Sequence, residues 1–192
     1  MSKIVVIEYV SLDGVIQAPG YAAEDTDGGF EHGGWTKPFI AEHAVHMSEL
    51  FRTVGGFMLG RRTYEIWAAY WPTVTDPADE IAQALNTLPK YVASTTLDNP
   101  TWESTTVLRH APTEVAELRR QPGKPILVQG SSRLAHTLTE HALVDEYRLW
   151  IHPVILGSGK KLFRDGGAKV DLTLIETRTS PTGLVMLTYA PD

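Results

Sequence analysis

The sequence predicts a three-layer α/β protein: a mostly parallel central sheet with helices on both faces and an antiparallel hairpin at the C-terminal end. Three observations carry this. Short runs rich in Val, Ile and Leu recur without polar alternation, as in strands buried on both faces. Amphipathic segments of helical period separate them. The last two runs are joined by Ser180-Pro181-Thr182-Gly183, a turn sequence and not a helix. The chain has 192 residues, with no internal repeat and no linker dividing it, so it reads as a single domain over 1–192.

Ile4 to Val10 reads as the first buried strand, with Glu8 interrupting its apolar run and Asp13-Gly14 breaking it. Gln17 to Lys37 is rich in Gly and acids, a pattern of a functional lid or of disorder. Pro38 opens a helix that places Ile40, Ala44, Met47 and Phe51 on one face. Val54 to Leu59 is a second strand, ended by Gly60, and Arg62 to Ala69 continues as a helix. Asp76-Pro77 suits the N-cap and first position of another, with Ile81, Leu85 and Leu88 inward. Lys90 to Ser94 is the third strand, Pro112 to Gln121 a helix, and Ile126 to Gln129 the fourth inner strand. Gly130-Ser131-Ser132 leads a helix carrying Leu134 and Leu138. Asp145 to His152 is a strand, and Leu172–Thr179 with Leu184–Ala190 form the hairpin.

Composition narrows the function. The net charge is −6, from 17 Lys+Arg against 23 Asp+Glu, which argues against non-specific nucleic-acid binding. With no cysteine, a thiolate nucleophile, a Cys-based zinc site and an Fe–S cluster are all impossible. No stretch approaches the ~20 apolar residues of a membrane span, and the N-terminal run is too short for a signal peptide. The cytoplasm is the expected location.

Gly60-Arg61-Arg62-Thr63 is the strongest local signal. A strand ends in Gly, and a helix begins with two guanidinium groups and a hydroxyl. The first N–H groups of a helix lack internal partners and favour an anion, and Arg adds bidentate donors suited to phosphate. A solvated basic helix start is the plain alternative. Gly130-Ser131-Ser132-Arg133 repeats the arrangement after another strand, where a simple turn with Ser131 as N-cap is the alternative. Ser94-Thr95-Thr96 is a third polar turn. Open α/β sheets bind ligands at the carboxyl ends of their strands, so three such turns in one sheet point to one ligand. Gly157-Ser158-Gly159-Lys160-Lys161 fails as a P-loop, because Val154 stands at the upstream Gly position and Lys161 at the required hydroxyl. His43 and His46 have no evident third ligand, so no metal site is expected.

Taken in order, these segments resemble the dihydrofolate reductase-like proteins. They are most similar to the C-terminal reductase domain of bacterial bifunctional riboflavin-biosynthesis deaminase-reductases and its stand-alone relatives. The resemblance rests on Val10–Ile16, Met58–Glu65, Lys90–Thr96, Ile126–Ser132, Leu143–Tyr147 and His152–Phe163, and covers nearly the whole chain. It implies a reductase that binds NADPH across the carboxyl edge of the sheet and acts on a small heterocyclic or carbonyl compound, pyrimidine- or pteridine-like. Arg61, Arg62 and Thr63, after Gly60, would contact the adenosine-side phosphates. Ser94 and Thr95 would lie beside the adenosine, and Gly130, Ser131, Ser132 and Arg133 would hold the pyrophosphate. Asp13, with Leu12 and Gly14, would face nicotinamide and substrate, Asp13 orienting or protonating the latter. Trp35 or Phe30 would close over the site from the 17–37 loop, and a homodimer through the C-terminal strands is implied. No carboxylate aligns with the catalytic one of dihydrofolate reductase; Glu24 and Asp25 lie in the corresponding region. A non-catalytic nucleotide- or pterin-binding module of the same fold is the competing function.

Overall fold

A computed structural model describes residues 1–192. Eight strands form one sheet: β1 (Ile4–Ser11), β2 (Gly56–Gly60), β3 (Lys90–Ala93), β4 (Thr105–Leu108), β5 (Ile126–Gln129), β6 (Glu146–His152), β7 (Leu172–Thr179) and β8 (Val185–Pro191). Their spatial order is β4-β3-β2-β5-β1-β6-β8-β7. All neighbours are parallel except β8, which runs antiparallel to both β6 and β7. The expected α/β architecture, parallel centre and C-terminal hairpin are all present.

Five helices cover the sheet: α1 (Ile40–Phe51), α2 (Arg61–Tyr70), α3 (Glu80–Thr87), α4 (Ala111–Arg120) and α5 (Ser132–Glu140). Alternation along β1 divides the core. Val5 and Ile7 pack with Met47, Leu50 and Phe51 of α1, Tyr64 of α2 and Leu85 of α3. Ile4, Val6 and Val10 pack with Val115 of α4 and with Leu134, Ala135 and Leu138 of α5. The period-two geometry of a strand sends successive side chains to opposite faces, so a strand buried on both must be apolar throughout.

Three local features differ from expectation. A fourth strand beyond β3 went unpredicted: β4 has four residues, and only Leu108 among them is buried. The N-cap of α3 is Asp79, whose carboxylate accepts from the Ala82 N–H; Asp76 closes the preceding turn by accepting from Ala78. The 17–37 segment is pinned along its length. Gln17 bonds the carbonyls of Asp25 and Asp27 and accepts from the Lys160 N–H, while Thr36 and Trp35 donate to Pro19 and Gln17.

The sheet opens at one place. β5 ends at Gln129, opposite Ile7, and β1 continues from Glu8 to Ser11 paired only with β6. The chain leaves β1 through α1 toward β2 and leaves β5 through α5 toward β6, so the connections diverge here. Such a switch point at the carboxyl ends of parallel strands is where open α/β sheets take ligands.

Candidate functional site

A cleft of about 1420 Å³ occupies this point. Gly60, Arg61, Arg62 and Thr63, Ser94 and Thr95, and Gly130, Ser131, Ser132 and Arg133 all line it. The three polar turns, remote in sequence, therefore share one cavity with the N-termini of α2 and α5.

Two of the turns are bonded together. Ser131 adopts a left-handed conformation, φ 67° and ψ 60°, which costs a non-glycine residue about 1–2 kcal/mol. The bend turns its hydroxyl away from its own helix, where it makes no capping bond, and toward β2. There the Ser131 hydroxyl accepts from the Gly60 N–H at 2.8 Å and meets the Thr63 hydroxyl at 2.7 Å. The plain reading of Ser131 as a side-chain N-cap does not hold. Gly130 also has a positive φ, and a Cβ there would come within 3.0 Å of the Thr63 hydroxyl. Arg61 links the third turn, donating to the Thr96 hydroxyl at 2.6 Å and to Glu65 at 2.7 Å. The Ser94 hydroxyl caps its own turn, accepting from the N–H groups of Thr96 and Leu97.

Arg62 faces the 17–37 segment. It pairs with Asp25 at 3.2 Å and with Asp27, and Lys160 reaches the same carboxylates at 2.5 and 2.8 Å. This four-charge cluster spans the cleft from α2 to the loop before Lys161. Asp27 is held below the usual carboxylate range by its bonds to Lys160 and then Arg62. Arg133, at the start of α5, lines the cleft without an ion pair.

Asp13, Leu12, Gly14 and Trp35 are not among the cleft's lining. The Asp13 carboxylate accepts from the Ser11 hydroxyl at 2.6 Å and from the N–H groups of Leu156 and Gly157 at 3.1 and 2.7 Å. The Ser11 bond chiefly, with the two amides, lowers its pKa to about 2. It is thus an ionised clamp between two loops and holds no proton to donate near neutrality. Leu12 is exposed, and Gly14 forms the turn between Ser11 and Leu162. Trp35 and Phe30 pack within the 17–37 segment, with Ala18 and against Val15.

Sequence reasoning passed over two features. The first is an imidazole pair. His43 of α1 and His152 of β6 meet through their Nε2 atoms at 2.8 Å, both buried, with Tyr9 stacked on His43. The His152 Nδ1 lies 2.8 Å from the Trp150 carbonyl, which can only accept, so Nδ1 carries the proton and Nε2 is a lone pair. His43 must then donate from Nε2, and both rings are neutral. Burial, then the neighbouring His152, lowers the His43 pKa to about 4, and burial lowers that of His152.

The second is Glu8, which lines the cleft and is 3 % exposed. Burial pushes its carboxyl well above the usual range, opposed only by the Gly130 amide. Its Oε1 and the Oε1 of Gln129 are the two buried side-chain polar atoms in the protein without a hydrogen-bond partner. The signal in the sequence was a carboxylate inside an otherwise apolar strand.

Comparison with known proteins bears on this arrangement. The family model of the RibD C-terminal domain matches residues 2–186. The chain belongs to the RibD C-terminal domain family. A related sequence is the uncharacterized protein YyaP of Bacillus subtilis, 32% identical over 152 residues, which are 78% of this chain and 81% of that protein. The fold is also that of a protein from Shewanella sp. PV-4 described as a candidate riboflavin biosynthesis protein, with a TM-score of 0.67, 17% identity and 99% of both chains covered. A dihydrofolate reductase from Enterococcus faecalis complexed with NADP(H) superposes with a TM-score of 0.61 and 16% identity, over 99% of this chain and 96% of that one. The chain therefore has a reductase-type, dihydrofolate reductase-like fold.

The cleft's residues fit a dinucleotide. Two helix N-termini and three guanidinium groups supply donors for phosphates, and Gly130 leaves open the space that a Cβ would narrow beside Thr63.

Proposed function

We propose that this protein is an NADPH-dependent reductase acting on a small heterocyclic or carbonyl compound of the pyrimidine or pteridine kind. The observation that carries the reading is the convergence of the three polar turns on one cleft at the switch point of the sheet. When bound, the cofactor supplies a hydride; the chain supplies position, field and exclusion of water. The α2 and α5 N-termini hold phosphate groups, and Arg61 and Arg133 neutralise them. Arg62 selects the additional phosphate of NADPH by exchanging Asp25 and Asp27 for it. The Ser131–Thr63 contact fixes the spacing of the two turns. The remainder of the cleft, between Glu8, Tyr9 and His43, receives the substrate.

NADPH and NADH titrations by thermal shift and nicotinamide fluorescence test this. Ligand at a hundred times its dissociation constant stabilises by about 2.7 kcal/mol, a readily measured rise in melting temperature. A hydrogen bond to a charged group contributes about 1.5–3 kcal/mol, so Arg62→Ala weakens NADPH about ten- to a hundredfold and NADH much less, while Arg61→Ala weakens both. Equal affinity of both variants for the two cofactors would refute the phosphate assignment. Absence of any shift with either cofactor would remove the reading altogether.

A further inference from the structure

Reduction of a C=N or C=O bond needs a proton as well as a hydride, and the cleft contains five carboxyl side chains: Glu8, Glu24, Asp25, Asp27 and Glu65. Four are engaged. Asp25 and Asp27 are held by Arg62 and Lys160, and Glu65 by Arg61. Glu24 accepts from the Gly20 N–H at 2.6 Å. Glu8 alone has a buried oxygen with no partner, and the residue is almost fully enclosed. The second unpartnered atom, the Gln129 Oε1, belongs to the residue at which β5 stops beside β1. An unsatisfied buried polar group costs about 1–3 kcal/mol, and native proteins keep very few. Here the only two flank one opening in the sheet, Glu8 on the face of Val6 and Val10 and Gln129, in register with Ile7, on the other; an enclosed carboxyl oxygen left open toward a cleft is the pattern expected where a ligand completes the bonding.

We propose that Glu8 is the acid that protonates the substrate during reduction. This rests on the reductase reading above. It requires a substrate whose reducible C=N or C=O bond reaches the Glu8 carboxyl. As hydride from the reduced nicotinamide adds to carbon, the π pair of the C=N or C=O bond moves to nitrogen or oxygen. That atom takes the Glu8 proton, forming an N–H or O–H bond and leaving Glu8 a carboxylate. A bound reduced nicotinamide would supply the two electrons by which the substrate is reduced, and the Glu8 carboxylate would recover a proton from water after product leaves.

The surroundings suit a neutral acid. Glu8 shares the apolar face of β1 with Val6 and Val10, against α5. Of the titratable groups lining the cleft, Tyr9, next to Glu8 on β1, interacts electrostatically with it. Lys160 is already neutralised by Asp25 and Asp27. Burial raises the carboxyl's pKa well above the usual range, toward the protonated state a general acid needs.

The test has two arms on the full chain. Carboxyl ¹³C NMR of Glu-labelled protein without ligand, titrated through neutrality, reads the protonation state directly. One carboxyl still protonated at pH 7, absent from Glu8→Gln, is expected; a Glu8 carboxylate ionised at pH 7 overturns the proposal. Glu8→Gln keeps the shape without the proton, and its NADPH thermal shift should match that of the wild type. In the second arm NADPH oxidation is followed with 6,7-dimethyl-7,8-dihydropterin, a dihydropyrimidine and an aldehyde as acceptors. Glu8→Gln should lower kcat by about 10²–10⁴-fold, the usual contribution of a general acid, and Glu8→Asp should restore part of it. Unchanged kcat in Glu8→Gln, or NADPH binding by the wild type without oxidation by any acceptor, overturns the proposal. Failure of the wild type to bind NADPH points instead to the reductase reading.

Discussion

The His43–His152 pair makes stability depend on pH in a way that can be separated from every other group. The perturbation is acidification from pH 7 to pH 4, with His43→Gln as the reference. An unfolded His titrates near 6.5, whereas His43 in the fold titrates at about 4. Between these values the unfolded chain binds a proton that the native protein refuses, so the stability contributed by the neutral ring is present above about pH 6.5 and is lost as pH falls toward 4. Each unit of difference is worth about 1.4 kcal/mol, which gives about 3 kcal/mol for His43. His152 acts in the same direction. Glu8 acts oppositely: a carboxyl kept protonated in the fold favours the native state most strongly at low pH, and that contribution is lost as pH rises. The wild-type curve is therefore a partial cancellation, and the difference between proteins is the informative quantity. Urea unfolding at half-unit pH steps should show wild type losing about 3 kcal/mol relative to His43→Gln between pH 7 and pH 4. In a Glu8→Gln background the absolute decline should be steeper. Parallel curves for wild type and His43→Gln would refute the assignment of neutral, buried rings.

Two further outcomes follow from the clefts and clamps. Asp13→Asn, which weakens charge-assisted bonds from Ser11, Leu156 and Gly157, should cost about 1 kcal/mol in urea unfolding near neutrality, with NADPH affinity unchanged. That difference should persist down to about pH 4 and vanish toward pH 2, since an acid with a lowered pKa stabilises only while ionised; a large loss of NADPH affinity would place Asp13 in the site after all. Gly130→Ala combines a positive φ of 62° with a Cβ 3.0 Å from the Thr63 hydroxyl. It should destabilise by about 1–2 kcal/mol and weaken NADPH binding, and an unchanged melting temperature would contradict the crowding.

Much of this was legible in the sequence because it depends on local chemistry. The Leu59-Gly60-Arg61 and Gln129-Gly130-Ser131 boundaries are written by apolar runs meeting Gly and hydroxyls, and the structure has a strand end and a helix start at both. What was missed depends on partners far away in the chain. β4 is short and shows one buried side chain, so no periodicity marks it. Asp13 looks like a free turn carboxylate until the backbone at Leu156 and Gly157, over 140 residues later, closes on it. The charge cluster of Arg62 needs Lys160, whose segment resembles a phosphate loop in sequence but supplies a salt-bridge partner in the fold. Glu8 was visible as an interruption of an apolar strand, but only the end of β5 beside it shows that the interruption borders a cavity.

The space beside Gly60 has a consequence for how the sequence can change. A Cβ at position 60 would lie 2.8 Å from the Ser131 hydroxyl oxygen, in the volume which that hydroxyl now fills. The two positions, 71 residues apart, cannot both carry side-chain atoms there. An Ala at 60 is tolerable only after 131 has been shortened, as in Ser131→Gly, which also relieves the left-handed backbone. The order of those two steps is therefore constrained: descendants of this sequence can gain a side chain on one turn only by first surrendering it on the other.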